Sequence, residues 1–170
     1  MAKTFSGKLD GARVLDQVLA ERPLRAFVLF SSLAAQLGDF GQCDYAVANA
    51  YLGRFAEWRN GEAAAGRRHG RALAIDWPIW EGGHAALGSE GSELFGKALG
   101  IRMLARESGL AVMDLALRAA DAPAEILVMT GNDNEIARLV GAPVGEAAGV
   151  KDTASEGAAM TPAMPLSPGG

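Results

Sequence analysis

The sequence predicts an α/β fold in which helices flank a mainly parallel β-sheet. Three short apolar runs have the length and composition of strands that are buried on both faces. They are separated by longer segments whose apolar residues recur at helical spacing, and this alternation is typical of parallel strands joined by right-handed crossovers. The predicted strands are residues 26–31, 71–77 and 125–129.

The predicted helices begin or end at recognisable residues. Pro23 stops the first helical stripe, and Gly61 and Gly66 are expected to end a long helix that is rich in small residues. A glycine-rich segment, residues 81–104, follows the second strand and contains one short helix, and an excursion of this length is usually functional. The predicted helices are, in chain order, residues 8–21, 40–60, 89–99, 104–120 and 134–140.

Length and composition limit the organisation of the chain. A chain of 170 residues is long enough for one domain and too short for two sizeable ones. We expect a folded part over residues 1–143 and a disordered linker over residues 144–170, where glycine, alanine, proline and serine dominate. The net charge of −4 and the lack of a basic patch argue against a nucleic-acid partner.

The remaining composition argues against several kinds of site. The single cysteine, Cys43, cannot form an internal disulfide, which fits a reducing cytoplasm. No apolar run approaches the roughly 18 residues that a membrane helix needs, and the N-terminal residues carry charges throughout, so we expect neither a membrane span nor a signal peptide. His69 and His84 lack companions at ligand spacing, so no metal site is expected.

Three reactive side chains are predicted to converge at one edge of the sheet. Ser32 follows an apolar strand, and the carboxyl ends of parallel strands are where such sheets build their sites. Tyr45 and Asn49 lie four residues apart on the next helix and therefore share one of its faces. A hydroxyl, a phenol and an amide would thus meet at one spot.

The stretch around these residues resembles the catalytic segment of the ketoreductase domains of modular polyketide synthases, a branch of the short-chain dehydrogenase/reductase superfamily. Ordinary members of the superfamily have a lysine four residues after the tyrosine, whereas these ketoreductases have an asparagine there and take the lysine from an earlier helix. Lys8, in a Lys-Leu-Asp-Gly-Ala context 24 residues before Ser32, matches that lysine. The resemblance covers residues 3–141 and rests on Phe30-Ser31-Ser32, Gly38, Gly41-Gln42 and Tyr45-Ala46-Val47-Ala48-Asn49.

The resemblance implies a reaction, a cofactor and a carrier. It implies the NADPH-dependent reduction of a β-ketoacyl group that is tethered through phosphopantetheine to an acyl carrier protein. Tyr45 would donate the proton, Lys8 would support it, Ser32 would hold the carbonyl oxygen, and Asn49 would hold a water or the lysine head. Pro78 and Ile79, in the segment that borders the nicotinamide in the family, are the expected cofactor contacts.

Only the second half of a ketoreductase domain is matched, which implies an incomplete Rossmann-like sheet. No G-x-G-x-x-G turn for the cofactor diphosphate follows a predicted strand. We therefore expect the chain to be inactive alone, with the remaining half of the domain and neighbouring synthase domains as partners. Leu37 lies where reductases of one stereochemical class carry a tryptophan, which favours the D-hydroxyl class.

Two other functions remain open from the sequence. The half-domain could serve as a structural or docking piece of a synthase without turnover, although such a piece has no need of the four polar residues. A reductase of the same superfamily that acts on a free ketone is the other alternative, and Asn49 argues against it.

Overall fold

The computed structural model describes residues 5–39, 41–81, 97, 99–141, 148–150 and 158–162. A π-helical turn, Ser6–Asp10, leads directly into the first α-helix. The helices are α1 (Gly11–Val18), α2 (Ala34–Leu37), α3 (Cys43–Ala64), α4 (Arg106–Arg118) and α5 (Asp133–Val140). The strands are β1 (Ala26–Ser32), β2 (Arg71–Trp77), β3 (Glu125–Thr130), β4 (Ala148–Val150) and β5 (Ala158–Pro162).

The strands form one sheet in the order β1-β2-β3-β5-β4. The first three strands are parallel, with Phe30 opposite Ile75 and Ile75 opposite Ile126. Strand β5 pairs antiparallel with β3, and β4 pairs antiparallel with β5. The predicted parallel α/β sheet is therefore confirmed, with each of the three predicted strands in its expected place.

Helices cover both faces of the sheet and bury a core on each side. On one face, Leu73, Ile75 and Val128 pack against Val112 of α4. On the other face, Phe27 and Leu29 of β1 pack against two helices. The contacts are with Leu52 and Phe55 of α3 and with Ala12 of α1. Complete burial of one such Leu, Ile or Val side chain contributes about 1.5–3 kcal/mol. This three-layer packing fixes the carboxyl ends of β1 and β2 as a rigid edge.

A buried ion pair fastens α1 to α3. The Arg59 guanidinium of α3 is fully buried and donates to Asp16 of α1 at 3.0 Å. Its other nitrogens donate to the carbonyls of Gly70 and His69, at 3.1 and 3.0 Å. Arg68 adds a second cation to Asp16 at 3.0 Å. Because every polar group in this cluster is paired, the cluster can stay buried while holding the segment that carries Lys8 against the helix of Tyr45.

The structure differs from the sequence-based prediction at the end of the long helix and in the C-terminal stretch, and it adds the short helix α2, which was not predicted. The long helix continues through Gly61 and ends at Ala64, and Gly66, with a φ of 74°, lies in the turn beyond it. Strands β4 and β5 lie within residues 144–170, the stretch predicted as a disordered linker, so the prediction is wrong for those eight residues. Apart from residues 97 and 99, the predicted short helix over residues 89–99 lies outside the described residues.

Within the parts of the chain that the structure describes, every helix is too short or too polar to cross a lipid bilayer.

Candidate functional site

Ser32 is the last residue of β1 and lies in register with Trp77, the last residue of β2. Its hydroxyl oxygen accepts a hydrogen bond from the Ala34 amide at 3.3 Å. The Leu33 amide donates to the Trp77 carbonyl at 3.0 Å, so the chain leaves the sheet in a fixed direction. The half-buried Ser32 hydroxyl is therefore held at the carboxyl edge of the sheet by local backbone contacts.

Tyr45 and Asn49 lie one turn apart at the start of α3. The Asn49 side chain is fully buried, and its Nδ2 donates to the Tyr45 carbonyl at 2.8 Å. Ser31 of β1 donates through Oγ to the Asn49 carbonyl at 3.2 Å, which ties the helix to the end of the strand. Asn49 Oδ1 is buried and has no hydrogen-bond partner among the described residues. A buried acceptor without a partner is a place where a water or a cation would bind.

Lys8 reaches this edge from the π-helical turn. Its Nζ donates to the Phe30 carbonyl at 2.9 Å and lies 5.8 Å from the centre of the Tyr45 ring. Burial lowers the pKa of the Lys8 ammonium, while the negative charge of Asp76 acts in the opposite direction. The lysine is thus close to the tyrosine, yet it is bonded to the backbone of β1.

The structure brings three of the predicted site residues, Lys8, Tyr45 and Asn49, into one neighbourhood. Ser32 ends the strand to which Lys8 is bonded, two residues after Phe30. Hydrogen-bonding or one-water distance between the Ser32 and Tyr45 hydroxyls stays a prediction, as do the catalytic roles of all four residues.

A cavity of about 340 Å³ opens beside Ser32. Its wall includes Trp77, Pro78, Ile79 and Leu37, so both predicted cofactor contacts border it. The Ile79 carbonyl accepts a hydrogen bond from the Leu104 amide at 2.7 Å, which fixes this stretch of backbone at the wall. The cavity is lined mainly by apolar groups, and Ser32, Asp39, Lys97 and Arg102 add polar groups to its wall. Such a wall suits a flat, weakly polar ring.

The sequence analysis missed a buried acidic cluster behind the site. Asp76 of β2 is fully buried and accepts from Gln36 Nε2 at 3.2 Å. Burial raises the pKa of Asp76 to about 7, and the neighbouring carboxylate of Glu125 adds to that shift. Burial also raises the pKa of Glu125, against the opposing charge of Arg54, which lies 3.2 Å from its carboxylate. An aspartate inside an apolar strand was the signal that could have found this cluster.

No group of three or more potential ligands that could hold a metal ion occurs among the described residues.

The chain matches known sequences over much of its length. A model of the KR domain family matches residues 1–82. Polyketide synthase PksL of Bacillus subtilis is 39% identical over 107 residues, which cover 63% of this chain and 2% of that protein. Polyketide synthase PksN of the same organism is 32% identical over 142 residues, which cover 81% of this chain and 3% of that protein. The chain therefore spans a small fraction of the length of these relatives.

Solved structures match the fold at similar identity. A ketoreductase domain from the bacillaene assembly line has a TM-score of 0.72 and 32% identity, and the match covers 79% of this chain and 32% of that chain. An N-terminal ketoreductase from the macrolactin assembly line has a TM-score of 0.65 and 29% identity, with 82% of this chain and 26% of that chain covered.

The parallel sheet with flanking helices has the Rossmann-like fold of the short-chain dehydrogenase/reductase superfamily. Within that superfamily the chain belongs to the ketoreductase domains of polyketide synthases. The resemblance noted in the sequence is thereby confirmed.

Proposed function

We propose that this chain supplies the proton-handling part of an NADPH-dependent ketoreductase that reduces a β-ketoacyl thioester carried by an acyl carrier protein. The observation that carries the proposal is the position of the Lys8 ammonium, 5.8 Å from the Tyr45 ring at the carboxyl edge of the sheet. Reduction of a ketone needs a proton donor beside the carbonyl oxygen and a charge that supports the donor.

Tyr45 is the proposed proton donor. Donation leaves a phenolate, and a nearby ammonium stabilises that anion. Lys8 can supply this charge because its partly buried ammonium is screened less than one exposed to water would be. The two side chains therefore form a donor and its electrostatic support.

Ser32 is proposed to hold the substrate carbonyl. Its oxygen already accepts from the Ala34 amide at 3.3 Å, so the hydroxyl hydrogen is directed away from that bond. A hydrogen directed into the neighbouring cavity would bond the carbonyl oxygen and stabilise the charge that develops there.

Asn49 is proposed to hold the end of a proton relay. Its Nδ2 is engaged with the Tyr45 carbonyl, and its Oδ1 is buried without a partner in the described part of the chain. Lys8 or a water bound to that oxygen would connect the phenol to a source of protons.

The cavity residues fit a nicotinamide ring. Pro78 and Ile79 form part of its wall, and Ser32 lies at its edge. NADPH, when bound there, would supply the hydride. The apolar wall would exclude water from the reacting face.

Cofactor binding is proposed to need a second part of the domain. No glycine-rich turn for the diphosphate follows a strand in this sequence, so we propose that the remaining half of a ketoreductase provides it and that the chain is inactive alone. Neighbouring synthase domains and a phosphopantetheine carrier are the proposed partners, in the cytoplasm. Leu37 at the cavity wall supports a D-hydroxyl product.

The test is reconstitution. The chain is mixed with the cofactor-binding part of the bacillaene ketoreductase as a separate polypeptide, and NADPH oxidation is followed with a β-ketoacyl thioester. We expect turnover from the mixture and none from either polypeptide alone. If the two parts form a complex that binds NADPH and still does not reduce the substrate, the proposed function is wrong and a docking role is favoured.

A further inference from the structure

Two buried carboxyl groups lie side by side on the sheet, and the reaction proposed above uses neither of them. Asp76 of β2 is fully buried, and Glu125 of β3 is 3% exposed. Glu125 lies opposite Ala74, two residues before Asp76, so both side chains point to the same face of the sheet. The two carboxyls are within hydrogen-bond reach of each other. Two carboxylates this close in a buried site cannot both be ionised without a large cost.

Glu125 is the carboxyl of the two that is bonded to a cation. Arg54 of α3 donates to Glu125 Oε2 at 3.2 Å. The donor to Asp76 is a neutral amide, Gln36 Nε2 of α2, at 3.2 Å. The charges of Lys8 and Asp76 act on each other, but Lys8 donates its hydrogen bond elsewhere. A single proton on the pair therefore resides on Asp76, and the pKa of about 7 to which Asp76 is raised agrees with this assignment.

Each of the two carboxyls has one buried oxygen without a hydrogen-bond partner. In the part of the chain that the structure describes, these atoms are Asp76 Oδ1 and Glu125 Oε1. Buried polar atoms are rarely left unpaired, and two carboxylates can accept hydrogen bonds but donate none. One proton on Asp76 Oδ1, donated to Glu125 Oε1, would give both oxygens a partner. The same proton removes one of the two negative charges.

The charge of Asp76 determines which acceptor the Ser31 hydroxyl binds. Ser31 of β1 is buried and lies in register with Asp76. Its single hydroxyl hydrogen has two acceptors within reach, the Asn49 carbonyl of α3 at 3.2 Å and the Asp76 carboxyl. An ionised carboxylate is the stronger acceptor, because hydrogen bonds to charged groups are about twice as strong as neutral ones. The hydrogen bond to Asn49 therefore depends on a neutral Asp76.

We propose that Asp76 is a positioning residue for the start of α3. Its neutral carboxyl donates to the ionised Glu125 and leaves the Ser31 hydroxyl to bond the Asn49 carbonyl. Ionisation of Asp76 turns that hydroxyl to the aspartate and releases this contact between β1 and α3. The importance for catalysis rests on the function proposed above, in which Asn49 and Tyr45, one turn apart on α3, handle the proton.

Carbon-13 NMR of the side-chain carboxyls tests where the proton resides. The chain carries ¹³C in its aspartate and glutamate carboxyls and is bound to the unlabelled complementary, cofactor-binding part of the bacillaene ketoreductase. Asp76→Asn and Glu125→Gln assign the two signals. At about pH 5, where an ordinary aspartate is ionised, we expect Asp76 to be neutral and Glu125 to be charged. A carboxylate signal from Asp76 at this pH would overturn the proposal.

A matched pair of substitutions tests whether Glu125 keeps Asp76 neutral. Glu57 is the control, because it binds the same Arg54 guanidinium at 2.9 Å while its side chain is 48% exposed. We expect Glu125→Gln to lower the midpoint of the Asp76 titration by about one pH unit or more, the scale of two coupled ionisable groups. Glu57→Gln should shift the midpoint far less. Equal shifts would assign the effect to the net charge of the region and contradict a bond between the two carboxyls.

The ¹³C signal of the Asn49 backbone carbonyl reports the positioning itself. It should change with pH at the Asp76 midpoint, because the Ser31 hydrogen leaves the carbonyl there. Asp76→Asn stays neutral and should abolish the change, and Ser31→Ala, which keeps both carboxyls but lacks the hydroxyl, should remove most of it. A constant Asn49 signal in the parent, or an equal change in Ser31→Ala, would overturn the positioning role.

None of these measurements involves turnover. A complex that is inactive would therefore contradict the proposed function and leave this inference standing. An active complex in which Asp76 is already ionised at about pH 5 would contradict this inference alone.

Discussion

The Lys8 ammonium lies 5.8 Å from the centre of the Tyr45 ring while donating a hydrogen bond to the Phe30 carbonyl. The two groups are thus near neighbours, although the lysine is bonded to the backbone of an edge strand. This arrangement joins the chemistry of the site to the assembly of the sheet.

The chain alone should associate with itself. Its open β1 edge and the exposed apolar side chains of α1 offer surfaces that water solvates poorly. We expect sedimentation velocity to show oligomers or a molten species, and Val18→Lys, at the most exposed of these positions, to reduce the association. A monomer that melts cooperatively in calorimetry would contradict this expectation.

Gly53 should be intolerant of a side chain, and Gly61 on the same helix provides the control. A Cβ at Gly53 would overlap the carboxylate of the buried Glu125, whereas one at Gly61 would enter open space. For the chain bound to its complementary part, we expect Gly53→Ala to cost about 1–3 kcal/mol in the free energy of unfolding. Gly61→Ala should raise the free energy of unfolding by about 0.4–1 kcal/mol, because alanine leaves the unfolded chain fewer conformations than glycine does. Similar effects of both substitutions in urea unfolding would show that α3 does not pack closely on β3.

Asp76 should make the folded complex less stable as the pH rises. Burial raises the pKa of Asp76 to about 7 from 3.8, so between these values the unfolded chain is ionised at this group and the folded chain is protonated. The free energy of unfolding should therefore fall through this window, by up to about 4 kcal/mol from this one group. Asp76→Asn should remove this group's contribution to the fall of the free energy of unfolding with pH.

Comparison of the two proteins at pH 5 and pH 8 isolates Asp76 from Glu125, whose pKa burial also raises. The measurement is thermal unfolding of the complex. We expect the stability of Asp76→Asn, relative to that of the parent, to be higher at pH 8 than at pH 5. An equal difference at both pH values would mean that Asp76 is already ionised in the folded state at pH 5.

The sequence was a good guide where local patterns decide the structure. Strand β2 occupies the predicted residues 71–77, because a mainly apolar run bounded by Gly70 and Pro78 admits few alternatives. The end of α3 was misplaced because packing on β2 carries the helix through Gly61, overriding the weak cost of a glycine in a helix. Strands β4 and β5 were missed because β5 is placed by its long-range pairing with β3, and β4 by its pairing with β5, which the local sequence does not reveal.

The site was predicted only where local spacing along the chain determines it. Tyr45 and Asn49 lie one turn apart, as their spacing in a helix requires. The hydrogen bond between Lys8 and Phe30 joins residues 22 positions apart. It forms because the outer edge of β1 is open, and the spacing of residues in the sequence does not show which edge of a strand is open. The Asp76 cluster needs four elements to meet: β2 and β3 carry Asp76 and Glu125, and two helices outside the sheet carry Gln36 and Arg54.

The central claim is that Tyr45 donates the proton, and one substitution tests it most directly. In the reconstituted complex, Tyr45→Phe keeps the ring and removes the donor, so turnover of the β-ketoacyl thioester should fall by about a hundredfold or more, with NADPH affinity nearly unchanged. Tyr51→Phe is the matched control, because Tyr51 lies on the same helix and packs against Phe55 with ring centroids 5.8 Å apart. Only the Tyr45 variant should lose turnover. Parent-like turnover in Tyr45→Phe would contradict the central claim.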